Sequence, residues 1–352
     1  MTDNAHSNPA GASEGRQADA RPAHDPASRA RGAPAGRDPD ARTLPLVQRL
    51  DRTMAEHPWY PRVIPFLVYI AFLALTTVVS NWAPVLYTPL YVAQCGLVVW
   101  LLWRYRRLLP ELTLSFHWLA LPVGVAVFFA WVWIGMAIAE YPYLSQVGIA
   151  QFTSDLLAWM VNPADAPAAL QRPDGSHRVF VSAAAASDSI FHQMPAWMIW
   201  PSLILRLAGM ALVVPLFEEL FIRSLLLRSL SSAKNTGIGL VQVAQDFPVV
   251  GEWLMNTKLG RRADEYPPMF EHEFKRVPLG KLTMFGVFAS TLIFTLNHTP
   301  RDYAACVFCG IAYCLLLWAT RHKGLGPVCW AHGITNALLW LYTLHTADFR
   351  FL

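Results

Sequence analysis

Residues 198–230 read MIWPSLILRLAGMALVVPLFEELFIRSLLLRSL, an apolar run broken by two adjacent acids, Glu218 and Glu219, and by Arg206, Arg223 and Arg228. A run of this length and character predicts a membrane-spanning helix. An ionisable group in such a helix is costly, so its presence points to a functional site. Residues four apart share a helix face, which places Glu219 and Arg223 to pair while Glu218 points about 100° away. The arginine holds one acid and leaves the other free to serve as a general base toward water. Pro215, a turn earlier, starts or kinks the local helix and predicts a break at which water enters.

Outward from this stretch the composition is of one kind. Of 352 residues, 54% are hydrophobic and only 15% charged, with a mean hydropathy of +0.32, which excludes an ordinary soluble domain. The fold class read from the sequence is all-α, a polytopic membrane helix bundle of about seven transmembrane helices. The expected spans are residues 63–80, 86–103, 118–139, 200–216, 282–296, 303–319 and 328–344, the fifth being the shortest. Residues 1–57 are rich in Ala, Pro, Gly, Asp and Arg and read as a disordered cytoplasmic tail without the layout of a signal peptide. Residues 58–194 then hold the first helices and an external loop, and residues 195–352 a catalytic core with a cytoplasmic insertion at about 231–280.

Basic residues beside the spans predict the orientation. Arg42, Arg49, Arg52 and Arg62 precede the first span, Arg104, Arg106 and Arg107 follow the second, and residues 228–281 hold eight Lys or Arg. Residues 140–195 carry only Arg172 and Arg178 against five acids, with 151–160 as a short interfacial helix. The positive-inside rule puts the N-terminus in the cytoplasm and the C-terminus outside. The net charge of +4 lies mainly beside the membrane, so the partner is the lipid bilayer and nucleic acid is not expected. Cys306 and Cys309 have the spacing of a redox or metal pair, but on an apolar helix they read as packing residues.

Two later segments add polar side chains. Phe294 and His298 are four apart, as are His332 and Asn336. An imidazole can share the activation of water with Glu218, and a second imidazole with a carboxamide can donate to the oxygen that becomes negative as a carbonyl is attacked. Each piece has a plainer reading. Glu219 with Arg223 is equally a structural ion pair, His298 an interfacial residue, and His332 with Asn336 a bond between helices. Span counting also puts Glu218 late in a helix running inward and His298 at the end of the next one running outward. Their meeting requires the helix to continue through Leu230, with the acids near mid-depth beside a water-filled cavity, and the helix bearing His298 to extend past Thr299.

EELFIR at 218–223 resembles the EExxxR motif of the CPBP (CAAX-processing and bacteriocin-processing, or Abi) intramembrane proteases. FTLNH at 294–298 is similar to their FxxxH motif, and HGITN at 332–336 to their HxxxN motif. FKRVPLG at 274–280 and the WYPR opening of the first span are similar to the CAAX prenyl protease-related branch, sometimes associated with exosortase systems. The resemblance implies an intramembrane endopeptidase of a bacterial inner membrane acting on a membrane-associated peptide or protein, with an exosortase or exopolysaccharide system as an associated partner. It implies Glu218 activating water with His298, His332 with Asn336 as the oxyanion site, and Glu219, Arg223 and Phe294 in support. No cofactor is required by this reading. Zinc stays open, with Glu218, His298 and His332 as its ligands if present, although no tight metalloprotease motif occurs. The alternative is a non-catalytic scaffold or bacteriocin-immunity-type protein retaining the fold.

Overall fold

The computed structural model describes residues 45–139, 194–245, 273–298 and 302–346, with short pieces between 253 and 269. By compactness the chain divides into a unit Met1–Leu50, of which residues 45–50 are described, and a larger unit Asp51–Leu352. The interfacial helix expected at 151–160, and most of the loop expected to lie outside the membrane, fall outside the described residues.

Helices form where apolar residues run long enough to hydrogen-bond their own backbone, as lipid demands. After a short α1 (Leu46–Glu56) come α2 (Tyr60–Trp82), α3 (Tyr87–Arg104), α4 (Ala120–Ala139) and a long α5 (Ala196–Leu230). The insertion after α5 carries α6 (Thr236–Gln245), α7 (Lys258–Ala263) and α8 (Glu273–Arg276), and α9 (Met284–Leu296), α10 (Tyr303–Thr320) and α11 (Gly326–Thr346) close the core. Among the described residues there is no strand. Helices thus occur at all seven expected places. Four of them, residues 60–80, 84–104, 196–230 and 303–323, are long and apolar enough to cross a membrane by length and composition, while Ala120–Gly135 and Met284–Leu296 are shorter apolar helices.

The tail read as disordered through residue 57 needs correction, because α1 occupies its last part. Its amphipathic spacing buries Met54, Arg52 pairs with Glu56 one turn on at 2.7 Å, and Asp51 binds Arg104. The composition of the preceding residues concealed this local pattern.

Around the buried apolar core the helices also carry large apolar side chains on their outer faces. On α9, Phe288, Leu292 and Leu296 form an exposed stripe, whereas Ser290, Thr291 and Thr295 are buried. On this helix large apolar side chains therefore face outward as lipid requires, and small polar ones face the bundle, Thr291 lying against Gly310 of α10. α4 packs on α10 and α11, α2 on α3, and α5 on α11 and α2.

Contacts between helix ends support the alternating parity of the spans. Arg62 at the start of α2 meets Glu111 after α3 and Ser224 late in α5. Thr113 and Ser115 before α4 donate to the Lys323 carbonyl after α10, both at 2.5 Å. At the opposite ends Thr88 bonds Ser202, and Arg206 donates to the Tyr87 hydroxyl at 2.9 Å.

Candidate active site

The acids sit where the winding of α5 changes. The helix widens to π winding over Gly209–Val213, returns to α over Val214–Glu219, and widens again over Leu220–Leu226. Such wide turns recur at functional sites. Pro215 explains the first. It has no N–H, so it can serve neither the Ala211 carbonyl of an α-turn nor the Met210 carbonyl of a π-turn. α11 makes good the deficit: Asn336 Nδ2 donates to Met210 O at 3.0 Å, and Gly333 lies so close that a Cβ there would run into Ala211 O. The break expected at Pro215 is therefore a change of winding within one continuous helix. As expected, α5 runs through to Leu230, and at 1.5 Å per residue its length, on the order of 50 Å, exceeds the hydrocarbon thickness.

Glu219, fully buried, bridges two helices. Its Oε1 lies 2.8 Å from His332 Nδ1 on α11, and its Oε2 lies 3.1 Å from Arg223 Nε. The Glu219–Arg223 contact has ion-pair distance without hydrogen-bond alignment. Arg223, 1% exposed, lies between two rings, its guanidinium carbon 5.0 Å from the centroid of Phe294 and 5.5 Å from that of Tyr313. Such stacking stabilises a desolvated guanidinium. A carboxylate only accepts, so the Glu219 bond places the His332 proton on Nδ1.

Glu218 is different. Its side chain keeps 19% exposure, and its Oε2 stands 3.7 Å from His332 Nε2, too far for a direct hydrogen bond and close enough for one shared water. The two acids thus occupy distinct environments around one imidazole.

The other expected residues lie nearby with partners of their own. His298 falls in the turn after α9, which ends at Leu296 rather than extending past Thr299. Its Nδ1 is 2.9 Å from Phe294 O, and its ring packs on Phe294 and edge-to-face on Trp131 of α4. It has no hydrogen bond or ion pair to either glutamate among the described residues. The site therefore joins Glu218, Glu219, Arg223 and His332 directly, reaches His298 through Phe294, and ties Asn336 to the turn before Pro215.

Sequence reasoning missed Tyr313 and Thr335. Tyr313 packs against His332 and donates to Thr335 Oγ1 at 2.8 Å, while Thr335 donates to Gly124 O at 2.9 Å. Thr335 lies inside the HGITN stretch, one helical turn before Leu339, and a hydroxyl within a largely apolar run was the available signal. Cys306 and Cys309 are buried in the apolar core with no disulfide, as a packing role requires. Among the described residues no three His, Cys, Asp or Glu side chains come together in a group that could hold a metal ion.

Residues 259–338 match the family described as type II CAAX prenyl endopeptidase Rce1-like. The match includes Phe294, His298, His332 and Asn336 and leaves Glu218 to Arg223 upstream of it. No curated protein and no solved structure matches the chain. The Rce1-like match agrees with the CPBP resemblance of the motifs, and with the apolar helices it supports, at a coarse level, a CAAX-type protease of the membrane.

Proposed function

We propose that the protein is an intramembrane endopeptidase in which Glu218 activates water without a metal. The single observation that carries this reading is the 3.7 Å gap between Glu218 Oε2 and His332 Nε2, beside an imidazole already fixed by Glu219. A water held there gives a proton to Glu218 as its oxygen attacks the scissile carbonyl carbon. The carbonyl oxygen takes up the negative charge. It is received by the second N–H of the Asn336 amide, beyond the one given to Met210, and by the Nε2–H of a His332 that enters the cycle as imidazolium, protonated on both nitrogens, and leaves it so. Collapse of the tetrahedral species breaks the C–N bond, and Glu218 returns its proton to the leaving amine.

Glu219 and Arg223 hold His332 in orientation, and His298 serves the same water from the α9 side once a substrate is seated. The substrate is a peptide or protein segment presented at or within the membrane. We place the protein in a bacterial inner membrane, as the resemblance to the CAAX prenyl protease-related branch implies, with its N-terminus cytoplasmic on the distribution of basic residues. Glu218→Gln expressed in cells lacking the wild-type chain separates this reading from a scaffold: an enzyme loses its phenotype, whereas a scaffold with the same fold keeps it.

A further inference from the structure

A second buried charged cluster lies at the same end of the bundle as the loop before α4, and it grips the helix that carries the acids. Glu111 Oε1 accepts from Arg62 Nε at 2.7 Å and from the Ser224 hydroxyl, while Arg62 Nε also reaches Ser224 Oγ at 3.3 Å. Arg62 is 2% exposed and Ser224 is fully buried. Arg62 Nη1 donates to Pro58 O at 2.5 Å and Nη2 to Leu108 O at 3.3 Å, so the guanidinium is held by several separate parts of the chain. Its other side faces Phe274, with 5.1 Å from guanidinium carbon to ring centroid, and Arg228 stacks on the same ring at 5.4 Å.

Ser224 is the residue after Arg223 and lies in the wide turn Leu220–Leu226. Arg223 points to Glu219, whereas Ser224 points around the helix to Glu111. Two neighbouring side chains fastened in different directions fix the rotation of the helix about its axis. A wide turn holds one residue more than an α-turn, so a change of winding there would swing the acids by about 100° relative to Arg228. That rotation would remove Glu219 from His332.

We propose that Glu111 is a positioning residue for the Glu218–Glu219 site: by holding Ser224 and Arg62 together it sets the rotation of the wide turn that aims both acids. The inference rests on reading Glu218 as catalytic, and it has a readout that does not. The full chain is labelled with ¹⁵N-histidine and reconstituted in lipid nanodiscs, and the His332 imidazole signal is assigned by its loss in His332→Gln. In Glu111→Gln and in Ser224→Ala that signal shifts or broadens, and Glu111→Asp keeps more of the wild-type signal. Cleavage per folded protein falls at least ~10-fold in the first two variants, as misplacement of a reacting group entails. A folded Glu111→Gln or Ser224→Ala protein with the wild-type His332 signal would overturn the proposal. Should Glu111→Gln not fold, Ser224→Ala, which removes one hydroxyl and no charge, carries the test. If Glu218→Gln leaves every cleavage product in place, the protease reading fails, and the His332 signal still decides whether Glu111 positions the turn.

Discussion

Glu219 Oε1 and His332 Nδ1, from residues 113 apart in the chain, stand 2.8 Å from each other in the buried core. This bond joins α5 to α11 and makes the two glutamates unequal: one is committed to an imidazole and a guanidinium, while the other faces the open side of that imidazole.

Glu219→Gln therefore destabilises far more than Glu218→Gln. It leaves the Arg223 guanidinium buried without its counter-charge, at a cost of about 3–5 kcal/mol. Replacing both partners, as in Glu219→Gln with Arg223→Met, recovers much of that loss. Unfolding of the wild type, Glu218→Gln, Glu219→Gln and the double variant in one detergent checks this, and equal stability of Glu218→Gln and Glu219→Gln would contradict the assignment.

Much of this pair was legible in the sequence, and the reasons are physical. The i, i+4 spacing of Glu219 and Arg223 forces proximity on any helix, and seven apolar runs announce themselves in composition alone. His332 meeting Glu219, by contrast, depends on how α11 is rotated against α5, which local periodicity does not specify. The two wide turns were equally hidden. Pro215 predicted a disturbance, but its form depends on Asn336 and Gly333 arriving from another helix. Arg62 read only as one of the basic residues before the first span, and the fold alone brings it and Glu111 to Ser224.

Gly333→Ala is expected to push α11 off the carbonyl of Ala211 and shift His332 with it, costing about 1–3 kcal/mol as overpacking does. Gly96→Ala is the contrast, since a Cβ there meets nothing within 4 Å. Thermal unfolding of both variants checks this: a marked drop for the first and almost none for the second.

The thiols provide a test of packing. Cys306, Cys309, Cys314 and Cys329 are buried, and Cys95 is half-buried. A maleimide reagent applied to folded protein labels Cys95 at most, and all five cysteines after unfolding. Rapid labelling of Cys309 in folded protein would contradict the helix packing described.

A metal-free mechanism predicts that exhaustive chelation leaves cleavage unchanged and that purified active protein carries no stoichiometric zinc by elemental analysis. Loss of cleavage on chelation, restored by zinc, would reassign Glu218 and His332 as ligands.

The central claim is that Glu218 activates the water that cuts a membrane-presented peptide. Its most direct test compares protein termini in membranes from cells carrying the wild-type chain and Glu218→Gln at matched expression. The account predicts a set of termini present with the wild type and absent with the variant, which also identifies the substrates. Identical termini with a folded Glu218→Gln protein would contradict it.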